Sequence, residues 1–138
     1  ISSSTSKYSS LWYRIYCSYC IMEFEHFTEK EFACKCGCKT NRINLDFIED
    51  LDRARSYSNI KYKITSGYRC MNHKLSIKNP TSSHIKGIAA DIECKDGYDR
   101  AVIIAGLAEA GFVRMGLGDG FIHVDSDQDK SQPVIWLY

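Results

Sequence analysis

The chain of 138 residues is long enough for one domain of ordinary size, and 44% hydrophobic with 25% charged residues is the balance of a globular protein rather than a disordered or fibrous one. With 18 basic against 17 acidic side chains the net charge is +1, so no broad electropositive surface points to a nucleic acid as ligand. No apolar run reaches the roughly 18–20 residues that cross a bilayer, and Arg14 interrupts the one stretch that imitates a signal peptide, so no membrane span is expected.

Residues 1–21 are Ser- and Tyr-rich and read as an N-terminal extension outside the core, with Met22 as the natural start of a single domain over 22–138. Seven cysteines, an odd number, leave at least one without an intramolecular disulfide partner. Cys17 and Cys20 form a C-x2-C pair, and Cys34, Cys36 and Cys38 sit in Cys-Lys-Cys-Gly-Cys. Such clusters can clamp zinc, but the spacing is not that of a common finger, and free thiols or a disulfide account for them more often. Reduced thiols are the default reading.

Thr28 to Glu31 carries a capping-box pattern, limited to a turn or two by the Cys- and Gly-rich stretch behind it. From Ile43 to Tyr57, Ile43, Phe47, Ile48, Leu51 and Ala54 recur at helical spacing and predict a helix. Lys61 to Thr65 alternates around Tyr62 and Ile64 and predicts a strand ending at Ser66-Gly67, with Arg69 just beyond it. Residues 71–86, with Asn79-Pro80 and three hydroxyl residues, read as a long surface loop, a setting often functional in compact domains. Ile88 to Glu93 predicts a short buried strand. Asp96 to Asp99 caps a helix carrying Val102, Ile103, Leu107 and Ala110, which Gly111 ends. Strands follow around Phe112–Leu117, Phe121–Asp125 and Val134–Leu137. The class is α+β, a small antiparallel sheet with flanking helices.

Three residues of this pattern invite chemistry. Asp91 lies inside Ile-Ala-Ala-Asp-Ile, where a carboxylate carries a desolvation cost unless it is paired or bound to a cation. His84 precedes it in the loop. In Phe121-Ile122-His123-Val124-Asp125 the period of two places Phe121, His123 and Asp125 on one face and Ile122 with Val124 on the other. Two imidazoles and one carboxylate leave a fourth metal position for water, the arrangement of catalytic rather than structural zinc. A carboxylate nearby would take the water's proton, and Asp119 and Asp125 are the candidates. His73 reads as structural and His26 as a surface residue. Tyr57, Tyr62 and Tyr68 read as sheet packing, and Cys70 and Cys94 as buried thiols or a disulfide.

The same residues carry a resemblance to the M15 family of zinc D,D-peptidases, which includes D-alanyl-D-alanine carboxypeptidases and phage endolysins that cut peptidoglycan stem peptides. It spans roughly residues 24–128. Ser82, His84, Gly87, Ala89 and Asp91 match the family's S-x-H-x-x-G-x-A-x-D motif, and His123 with Asp125 its later His-x-Asp strand. Ser66-Gly67-Tyr68-Arg69 looks like the family's S-G-Y-R segment. The resemblance implies Zn2+ held by His84, Asp91 and His123, and a role for Arg69 in binding substrate or stabilising the oxyanion, which its fixed charge and planar donor fork suit. Ser82 is expected to hold substrate or loop.

Gly120 stands where many relatives carry the catalytic acid, three positions before the last histidine. Asp119 resembles the acid placed before Phe-x-His in a subset of the family and is preferred to Asp125, which can instead orient His123. The implied partner is a bacterial peptidoglycan stem peptide, cut by a monomer acting at the cell wall, whether virus-encoded or secreted. The alternative is a non-catalytic, metal-stabilised module for binding cell wall or protein, as in the hedgehog-type signalling domains whose fold is similar.

Overall fold

The computed structural model describes residues 23–138. The 1–21 extension, with Cys17 and Cys20, lies outside the described residues. A 3-10 turn at Glu29–Phe32 carries the predicted capping box, Glu31 reaching back to accept from the Thr28 backbone N–H at 2.7 Å. Helix α1 spans Leu45–Ser58, capped by the Asn44 side chain, which accepts from the N–H groups of Asp46 and Phe47. Strand β1 is Ile64–Ser66, helix α2 Lys74–Lys78, strand β2 Ala89–Glu93 and helix α3 Gly97–Glu109, with Asp96 as its cap. Strands β3 (Arg114–Gly118), β4 (Phe121–Asp125) and β5 (Val134–Leu137) complete the chain. Among the described residues no helix is long and apolar enough to cross a membrane.

The five strands form one sheet in the order β1-β2-β4-β3-β5. Neighbours are antiparallel except β3 and β5, which run parallel, so the sheet is mixed rather than wholly antiparallel. Strand β4 itself returns the chain: it ends at Asp125 and β5 begins at Val134, both paired to Arg114, so the segment between them only steps across the start of β3. Helix α2 occupies part of the predicted 71–86 loop. Its apolar Leu75 and Ile77 are exposed while Ser76 is buried, so no apolar face marked it in the sequence.

Alternation in the strands divides the molecule. Ala90, Ile92, Ile122, Val124 and Met115 join Ile48, Leu51 and Ala54 of α1 and Ile103 and Leu107 of α3 in one buried cluster. Each Ile, Leu, Val or Met among them contributes roughly 1.5–3 kcal/mol on burial. Tyr62 and Tyr68 are buried as predicted, whereas Tyr57, near the end of α1, is 52% exposed and takes no part in sheet packing.

The two long helices meet at Gly106. A Cβ there would lie 1.9 Å from Ser58 Oγ and 2.6 Å from the Ala54 carbonyl oxygen. Ser58 is held by Tyr62 at 2.5 Å and by the Val102 carbonyl at 2.9 Å, so it has little room to yield. Gly106→Ala is therefore expected to destabilise the fold by about 1–3 kcal/mol despite alanine's better helix propensity. Urea unfolding measures the loss, and a neutral or stabilising result would contradict this packing.

Candidate metal centre

Asp91 on β2 and His123 on β4 are direct cross-strand partners, which places both side chains on one sheet face. His84 arrives from the loop before β2. His123 Nδ1 lies 3.0 Å and His84 Nε2 3.4 Å from Asp91 Oδ1, and the three donor atoms lie within 4.8 Å of one another. Ligands about 2.0–2.1 Å from a tetrahedral ion are separated by roughly 3.3 Å, so this spacing fits one zinc-sized ion.

The outer nitrogens decide which lone pairs are available. His84 Nδ1 is 2.7 Å from the Gly67 carbonyl oxygen, which can only accept, so Nδ1 carries the proton and Nε2 is left as a lone pair. His123 Nε2 is 2.8 Å from Asp125 Oδ2, which places a proton on Nε2 and leaves Nδ1, 3.0 Å from Asp91 Oδ1, as the nitrogen that a bound cation would take in exchange for its proton. With a cation bound, the two inner nitrogens would present their lone pairs to it beside the Asp91 carboxylate, a donor set suited to a metal. Burial opposes ionisation of Asp91, but its bonds to His123 and His84 outweigh that and hold its carboxyl well below the usual range. Burial likewise disfavours charge on His123, yet the carboxylates of Asp125 and Asp91 hold its pKa above the ordinary value.

Both oxygens of Asp125 are engaged. One oxygen accepts from Arg114 Nε at 2.7 Å and from the Asp127 N–H, while the other bonds His123. Its pKa is lowered, the bonds to His123 and Arg114 overcoming burial. Arg114 also donates to the Ser131 carbonyl and lies 5.0 Å over the Trp136 ring. Trp136 in turn stands 5.5 Å from the His123 ring. Gly116 lies between them in the register, paired to His123 on one side and Trp136 on the other. A Cβ on Gly116 would meet the indole at 2.6 Å, so its bare backbone lets Trp136 cross β3.

These groups line a cavity of about 500 Å³ that also includes Arg69, Lys78, Ser82, Phe121, Lys130 and Tyr138. Arg69 donates to Asp91 Oδ2 at 3.2 Å and to Ser66 Oγ at 3.0 Å. Ser82 is buried, and its Oγ accepts from the His84 N–H at 3.3 Å. The structure therefore brings together His84, Asp91, His123, Arg69, Ser82 and Asp125. Asp119 is exposed at the β3–β4 turn and does not line the cavity. His73 caps α2 by accepting from the Leu75 N–H, and His26 bonds Ser56 Oγ on the far helix. Sequence reading missed Arg114 and Trp136, because their relation to the site runs through the β3–β5 pairing.

The His84 loop is tied down by Asp127, whose buried carboxylate accepts from Ser83 Oγ at 2.8 Å and Lys86 Nζ at 3.0 Å. Burial opposes its ionisation, but the Lys86 and Ser83 bonds hold its pKa below the ordinary 3.8. A carboxyl depressed in the folded state stabilises it above the unfolded pKa, and that contribution disappears as pH falls through the folded value. Asp127→Asn is expected to cost about 2 kcal/mol at neutral pH, moderated by the exposure of Lys86, and to flatten the stability profile below pH ~4. Urea midpoints across pH 2–7 test this, and parallel profiles would contradict it.

Among known families, the model described as Peptidase M15 matches residues 25–125, a span that contains all three convergent donors. No curated protein matches the chain.

Proposed function

The chain belongs to the peptidase M15 family, and on that premise we propose that it is a zinc metallopeptidase hydrolysing a peptide bond in bacterial peptidoglycan stem peptides, as a D,D-carboxypeptidase or an L-alanyl-D-glutamate-type endopeptidase. The observation that carries the reading is the convergence of the inner nitrogens of His84 and His123 on Asp91 beside an open cavity. These three residues would hold the ion. When bound, zinc supplies Lewis-acid polarisation of a carbonyl and lowers the pKa of its water to about 7.

The remaining steps fall to side chains. Arg69 offers a permanent charge and a planar fork to a substrate carboxylate or to charge developing on the scissile carbonyl oxygen. Lys78 and Lys130 add positive charge to the cavity lining, in keeping with an anionic peptide. Ser82 holds the loop that delivers His84. Asp125 orients His123 and is a positioning residue, its oxygens both engaged. Proton transfer is assigned to Asp119, on the β3–β4 turn two residues before the cavity-lining Phe121.

Digestion of defined muropeptides by the zinc-loaded chain, read by mass spectrometry, tests the proposal and distinguishes release of a terminal D-residue from internal cleavage. Asp119→Asn with metal retained is expected to lower kcat by about 100-fold. The position of Asp119 outside the cavity lining favours one second reading, a metal-stabilised binding module. Tight wall binding with full metal and no turnover on any muropeptide would establish that reading and overturn the peptidase.

A further inference from the structure

A second cluster of ligating atoms lies away from the histidines. Cys34, Cys36 and Cys38 follow the 3-10 turn, and Cys70 comes to them from the segment just after Arg69. Their four sulfurs lie within 4.8 Å of one another, with Cys36 Sγ 3.5 Å from Cys34 and 3.4 Å from Cys70. A disulfide requires about 2.05 Å, and all four are free thiols. Four sulfurs at about 2.3 Å from a tetrahedral zinc are roughly 3.8 Å apart, close to the spacing seen.

The backbone is arranged around sulfur as well. The Cys70 N–H donates to Cys34 Sγ at 3.3 Å and the Thr40 N–H to Cys38 Sγ at 3.4 Å, while the Thr40 hydroxyl lies 2.9 Å from the same sulfur. Donors aimed at sulfur favour the thiolate that a metal needs. Gly37 at φ 100° and Lys39 at φ 60° fold the Cys-Lys-Cys-Gly-Cys loop back on itself, bringing the thiols of Cys36 and Cys38 to one place.

We propose that Cys34, Cys36, Cys38 and Cys70 bind one soft divalent ion of the zinc class as a closed tetrathiolate site, separate from the His84, Asp91 and His123 centre. Binding forms four metal–sulfur bonds and releases the thiol protons to solvent, with no change of oxidation state. A site with all positions filled by protein is structural. Its effect is positional: it pins the 34–38 loop to the strand-end segment whose Tyr68 N–H already donates to Phe32 and whose Arg69 N–H donates to the His84 carbonyl. Arg69 would thus be anchored from both sides.

The test uses the full chain purified under reducing, metal-replete conditions. Zinc content is expected to be about two per chain, falling to about one in Cys36→Ser/Cys38→Ser and to about one in His84→Ala/His123→Ala. Cys36 and Cys38 are exposed, so serine there leaves the core intact. Cobalt(II) provides the independent signature: intense sulfur-to-cobalt charge transfer should appear in the wild type and in the histidine variant and vanish in the cysteine variant. Unchanged metal content in the cysteine variant, no charge-transfer band, or a disulfide among the four thiols in freshly isolated protein would each overturn the proposal. Failure of the histidine site would leave the cobalt–sulfur band in place, so the two sites fail separately.

Discussion

His123→Ala is expected to strip the zinc from the catalytic position and to lower peptidase activity at least ~1000-fold, equivalent to ~4 kcal/mol of barrier. His84→Ala should lose activity to a similar extent, because either change leaves only two of the three convergent donors. The two variants should nevertheless differ in stability. His84 bonds the neutral Gly67 carbonyl and approaches Asp91 at 3.4 Å, whereas His123 carries Asp91 at 3.0 Å on one nitrogen and Asp125 at 2.8 Å on the other. Removing His123 leaves two buried carboxylates facing the hole it vacates, so its unfolding midpoint should drop further. Zinc content, muropeptide turnover and urea unfolding, measured on both variants, check all three parts. Wild-type turnover in either would remove the metal centre from the mechanism.

Asp125→Asn should be nearly as disruptive, although it removes no ligand. The amide must present either its NH2 or its oxygen to His123. Turned one way, the NH2 donates to Nε2 and drives the imidazole proton to Nδ1, the atom needed by the metal. Turned the other way, the NH2 faces the Arg114 guanidinium, donor against donor. Zinc affinity should fall by about 10–100-fold. The apo fold should lose about 3–5 kcal/mol, because Arg114 is buried beneath Trp136 with its counter-charge gone. Competition with a chelator reads the first quantity and urea unfolding the second. Asp125→Asn with unchanged zinc affinity would show that the imidazole tautomer is set by something else.

The parts of the site that could be read from sequence are those carried by short-range rules. An aspartate within an apolar strand is costly, which singled out Asp91, and a period of two correctly set His123 and Asp125 on a face opposite Ile122 and Val124. Both helical runs followed from local spacing, and the cap of the second from Asp96, whereas the Asn44 cap of the first is seen only in the fold. The other features depend on long-range pairing. Cys70 joins Cys36 across 34 residues, a contact no spacing within Cys-Lys-Cys-Gly-Cys could announce. Cys94, which the sequence left open as a disulfide partner for Cys70, bonds the Asp96 carbonyl. Trp136 reaches His123 only because β5 runs parallel to β3 and Gly116 is bare. Asp119 is exposed on the turn, two residues before the cavity-lining Phe121, a placement that its spacing from His123 did not announce.

The opposition of Asp91 to His123 across β2 and β4 has a consequence for assembly of the sheet. A slip of one residue between these strands would send one of the two to the apolar side and scatter the ligand set. Capture of an ion would thus favour only molecules in which the sheet has closed in the correct register. A shortfall of tightly held ion at this centre would then report misregistered molecules in a population that circular dichroism sees as uniform.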